Sequence, residues 1–122
     1  MNDGIYLHTR YVDPRRGEVR EREYADDGTV WVTVDGERSV RCRLDAAAVE
    51  AGGRAVVGAD LDALDDIDAD GPDRATMSYE WRVGERRGRL VDAAYPAVVP
   101  EMVDRLEATL LRLEEAAGDQ GG

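Results

Sequence analysis

Lysine and phenylalanine are both absent from this 122-residue chain, and cysteine and histidine occur once each, as Cys42 and His8. A single cysteine excludes an intrachain disulfide and any cysteine-rich zinc site. A lone histidine cannot build the usual metal centres, and a triad around it would need a nucleophile motif that the chain lacks. G-x-S-x-G, the P-loop and the Rossmann fingerprint are all missing, so no enzyme activity and no cofactor are expected. Nowhere do about 18 apolar residues run together, so no bilayer-spanning helix is expected. The start MNDGIYLHTR has no basic region leading into an apolar run, and the expected address is cytoplasmic.

Positive charge is also scarce. Sixteen arginines face 27 carboxylates, for a net charge of −11 and a pI near 4.5. Nonspecific nucleic-acid binding and anionic membrane surfaces both need a positive face, so neither is an expected partner. A uniformly acidic surface serves solubility without any further role. The length suits one domain, expected over residues 1–117, with 118–122 as a fraying tail.

What is present is alternation. Ala75, Met77, Tyr79, Trp81 and Val83 interleave with Arg74, Thr76, Ser78, Glu80 and Arg82, giving a strand with one bulky apolar face and one charged face. Gly84-Glu85 allows a turn into a return strand through Leu90. A second hairpin is expected where Val30, Val32 and Val34 lead through Asp35-Gly36 to Val40, Cys42 and Leu44. Residues 4–12 read as a strand with Ile5, Leu7 and Tyr11 on one face. Residues 18–24 read as a charged edge strand, because Val19 and Tyr24 fall on opposite faces.

Asp45 is an N-cap candidate for a short helix that Gly52-Gly53 would end, and a second short helix is expected over 54–66. The last element is a long helix led by Pro100. Val99, Val103, Leu106, Leu110, Leu113 and Ala117 trace one stripe down it, suited to covering a sheet or to a homodimer seam. The expected architecture is α+β: a mostly antiparallel sheet of about six strands with helices on one face. Both a monomer and a homodimer remain open.

Four groups of residues are candidates for function. Asp66, Asp68, Asp70 and Gly71 spell the opening half of an EF-hand loop, but Met77 stands where a bidentate carboxylate belongs. The alternative to a calcium site is an acidic surface loop. Trp31, flanked by Thr29 and Thr33 opposite the valines, is either a binding hot spot or a packing residue under another element. Arg82, Arg86, Arg87 and Arg89 surround the hairpin turn and serve either internal salt bridges or a protein partner. Cys42 lies between Arg41 and Arg43, yet its apolar neighbours make it a core residue rather than a reactive thiol.

In order and spacing over residues 29–113, the segments VRCRLD (Val40–Asp45), Gly71-Pro72-Asp73-Arg74 with its following strand, and Val98–Leu110 resemble the emfourin family of small protein inhibitors. Members of that family inhibit thermolysin-like metalloproteases of the protealysin type. The resemblance implies a mixed α/β fold and a non-enzymatic inhibitor with a protease as partner. The chain departs from the family by an extra hairpin at its start, so no protease-contacting residue is carried over. The rival expectation is an immunity-type or antitoxin-like acidic partner of a basic protein.

Overall fold

Period-two alternation builds six strands, and the apolar half of each alternation meets a single helical layer. The computed structural model describes residues 4–67, 75–95 and 99–120, the last three as backbone only. Strands β1 (Ile5–Asp13), β2 (Glu18–Ala25), β3 (Thr29–Val34) and β4 (Glu37–Arg43) precede helix α1 (Ala46–Gly58) and a 3-10 turn at Leu61–Ala63. Strands β5 (Thr76–Val83) and β6 (Arg86–Asp92) and helix α2 (Glu101–Gln120) complete the chain. All six strands form one antiparallel sheet in the order β4-β3-β2-β1-β5-β6, so the expected α+β class holds.

The core lies between the sheet and the helices. Leu7, Tyr24, Val30, Tyr79, Trp81 and Leu90 share one sheet face and meet Val56 of α1 with Val103, Leu106 and Leu110 of α2. Both tight hairpin turns use backbone that side chains resist. Asp35 and Gly36 have φ of 50° and 89°, the two positive values of a type I′ turn, and Gly84 has φ of 60°.

Several local expectations are corrected, among them the second short helix over 54–66, of which 54–58 belong to α1 and only Leu61–Ala63 form a 3-10 turn. Strand β2 is interior, paired with both β1 and β3, and the edges are β4 and β6. Its charges are tolerated inside the sheet because partners flank them: Glu18 holds Arg20, Glu21 lies beside His8 and Arg10, and Glu23 takes Arg38. In β4 a bulge at Arg41 sets Val30 opposite Cys42 but Trp31 opposite Val40. Val40 therefore leaves the apolar face and stands 43% exposed on the other side, while Cys42 stays packed on the core.

A further correction is at Gly52-Gly53, which do not end a helix; α1 runs through them to Gly58. A Cβ on Gly52 would sit 2.6 Å from the Tyr6 hydroxyl, and one on Gly53 would touch Val83. At Gly52 the missing side chain lets the helix approach Tyr6 of the sheet, whereas a Cβ on Gly53 would make only an ordinary contact. Asp45 does cap α1 as expected, its carboxylate accepting from Ala48 N–H. Helix α2 continues past Gly118 to Gln120.

Candidate functional site

Because both helices cover one side, the other side of the six strands carries no layer among the described residues. Register places two continuous rows of side chains across it. One row reads Val40, Trp31, Glu23, His8, Glu80, Arg89; the next reads Arg38, Thr33, Glu21, Arg10, Ser78, Val91. Trp31 and Arg89 thus stand in one line, four strand spacings or roughly 19 Å apart.

Trp31 is half-buried rather than packed under another element. The Arg38 guanidinium lies 4.0 Å above its ring centroid, and Arg38 Nε donates to Glu23 Oε1 at 3.2 Å. The contact spreads a flat aromatic-cation plate over the surface at the β3–β4 side. Nearer the middle, His8 Nε2 lies 3.0 Å from Glu21 Oε1, and Arg10 stands 3.9 Å from the same oxygen.

The arginine cluster divides. Arg82 and Arg87 are cross-strand partners on the helix-free face, and Arg89 shares that face. Arg86 faces the helical side, where it meets Asp60 at 4.0 Å. Arg87 and Arg89 are exposed, and neither has a carboxylate within ion-pair distance among the described residues.

Of the Asp66, Asp68 and Asp70 set only Asp66 is described; Asp68, Asp70 and the GPDR segment lie outside the described residues. Asp66 Oδ1 accepts from Val91 N–H at 2.8 Å, and Ile67 pairs with the β6 edge through Val91 and Ala93. That carboxylate is a stitch closing part of the sheet edge. Burial pushes the Cys42 thiol pKa up, which keeps it protonated, in line with a packing role.

Sequence reasoning missed the polar groups on the helical side. Glu114 of α2 is 1% exposed and accepts from the Tyr24 hydroxyl at 2.8 Å, with Arg22 at 3.7 Å. One α2 step of seven residues away, Glu107 accepts from the Tyr79 hydroxyl at 3.0 Å. Burial raises the Glu107 carboxyl pKa and raises the phenols of Tyr24 and Tyr79 beyond their ordinary range, so those hydroxyls remain donors. The signal was available: Glu107 and Glu114 follow Val103 and Leu110 by four, on the stripe itself. These pairs bolt α2 to the sheet.

Among the described residues, concavities open on the helical side. One of about 680 Å³ runs between α1 and the β5–β6 turn over Val49, Val57 and Val83. Another of about 420 Å³ lies by Tyr11, Met77 and Tyr95. Its three arginines are each engaged, Arg16 by Asp13, Arg20 by Glu18 and Arg22 by Glu114. Glu107 and Asp92, the carboxyls raised by burial, line neither.

Compared with known proteins, the chain matches no family model and no curated sequence. Among the described residues no helix is long and apolar enough to cross a membrane, and no group of three or more His, Cys, Asp or Glu side chains is placed to hold a metal ion.

Proposed function

We propose that this chain is a non-enzymatic binding protein that engages another protein through the helix-free face of its sheet. The observation that carries this reading is the placement of both helices on one side, which leaves Trp31 under Arg38 on a broad antiparallel surface. Tryptophan and arginine are the residues that most often dominate binding energy at protein interfaces. Charged residues of both signs on the same face supply register and selectivity more than affinity. The narrower form, inhibition of a thermolysin-like metalloprotease, draws on the resemblance described above.

Titrating such a protease with the protein and with its Trp31→Ala variant tests both forms. The expected result is inhibition by the parent chain and a loss of about 2 kcal/mol or more in the variant, some thirtyfold in affinity. Full protease activity at large molar excess removes the inhibitor form. Equal inhibition by both proteins removes the face.

A second reading, an acidic immunity-type partner of a basic protein, draws on the surplus of carboxylates outside the strands. It requires binding that Trp31→Ala leaves untouched.

A further inference from the structure

The charge of this acidic chain is segregated by structure. The six strands hold ten arginines against seven carboxylates, whereas the rest of the chain holds six arginines against twenty. The surplus within the sheet gathers on its helix-free face. Register puts six arginines there, at 10, 38, 43, 82, 87 and 89, against three glutamates, at 21, 23 and 80. Over the strand residues, this face of a chain of net charge −11 therefore carries more arginine than carboxylate.

The distribution along that face is uneven. At the β4 side the exposed Val40 lies opposite Trp31, which is stacked by Arg38. At the β6 side stand Arg87 and Arg89, exposed and without a carboxylate within ion-pair distance among the described residues.

We infer that the face docks an acidic segment of a partner protein, its apolar end on Trp31 and Val40 and its carboxylates on Arg87 and Arg89. This rests on the reading that the face binds protein. An extended segment of about six residues covers the roughly 19 Å between Trp31 and Arg89. Carboxylates complete the arginine forks that the fold leaves open. A nucleic acid is disfavoured because its phosphates would continue past the sheet into the surrounding negative field. A second copy is disfavoured for a related reason: seating its acidic side on this face gives a head-to-tail contact between two chains each at −11.

The test uses the full chain and labelled synthetic peptides of about eight residues, leucine-rich at one end and glutamate-rich at the other. Matched peptides carry glutamine or lysine in place of glutamate. Fluorescence anisotropy reads binding at about 50 mM and about 300 mM salt.

The expected result is binding of the glutamate peptide at least about tenfold tighter than the glutamine one, weakened by salt, with the lysine peptide failing to bind. Arg87→Glu with Arg89→Glu should remove that preference. These are exposed positions, and an unchanged circular dichroism spectrum and melting temperature confirm the fold.

Equal binding of glutamate and glutamine peptides, lost in Trp31→Ala, overturns the acidic chemistry while keeping the docking face. Binding of none of them overturns the inference and leaves the protease assay to judge the face itself. Tighter binding of a single-stranded oligonucleotide than of the glutamate peptide overturns it in favour of nucleic acid.

Discussion

Gly52 shows how a single residue couples helix chemistry to packing. Glycine inside a helix costs about 1 kcal/mol relative to alanine, so by propensity alone Gly52→Ala should stabilise. The Tyr6 hydroxyl 2.6 Å from the missing Cβ reverses the sign. Gly52→Ala should lower the urea midpoint through overpacking of about 1–3 kcal/mol. Gly58, in the same helix with nothing within 4 Å, should instead gain about 0.5–1 kcal/mol as alanine. Equal effects at the two positions would contradict the packing explanation. Neither outcome was legible in the sequence, where Gly-Gly reads as a stop.

Asp92 gives the corresponding electrostatic case. It is 1% exposed, its Oδ1 accepts from Ala94 N–H at 2.9 Å, and its Oδ2 has no hydrogen-bond partner among the described residues. Desolvation raises its pKa. The unfolded chain therefore releases this proton first, and the group's contribution to stability is greatest in acid. It falls as pH rises from about 4, the ordinary aspartate value, through the raised native value. Asp92→Asn keeps an acceptor for Ala94 and removes the charge. It should be more stable than the parent at neutral pH, with a gap that closes on acidification; denaturant melts across pH check this, and a gap independent of pH would contradict it.

At the scale of elements, alternation made the hairpins readable. Tyr79 and Trp81 are as buried as their period implies, and Asp35-Gly36 forms the turn its sequence announces. A bulge is not readable in that way. One extra residue at Arg41 moved Val40 across the sheet, and no local property of VRCRL marks the slip. The order of strands was equally hidden, because β2 pairs with β1 and β3 while charge partners for its side chains come from β1, β4 and α2.

Two substitutions probe the elements. Gly36→Ala meets nothing within 4 Å, so any loss is conformational, and about 1–2 kcal/mol is expected from φ of 89°. Leu110→Ala on the α2 stripe, 3% exposed, should cost about 2–5 kcal/mol. Chemical unfolding followed by circular dichroism checks both, and a negligible loss at Leu110 would mean that α2 is not the cover of this core.

The whole molecule has two sides of opposite character, and that asymmetry was visible from sequence only as a sum. A net charge of −11 conceals a sheet richer in arginine than in carboxylate, since the separation exists only once register is known. The two tryptophans fall on opposite sides of the same sheet: Trp81 is 4% exposed beneath the helices, and Trp31 is half-buried on the bare face. They are built-in reporters of where a ligand sits.

Indole N–H resonances of the labelled protein, followed while the glutamate-rich peptide is added, test the docking face directly. A working surface on the helix-free side requires the Trp31 signal to shift with occupancy while the Trp81 signal stays in place. Movement of Trp81 with an unchanged Trp31 would put the ligand under the helices and contradict it.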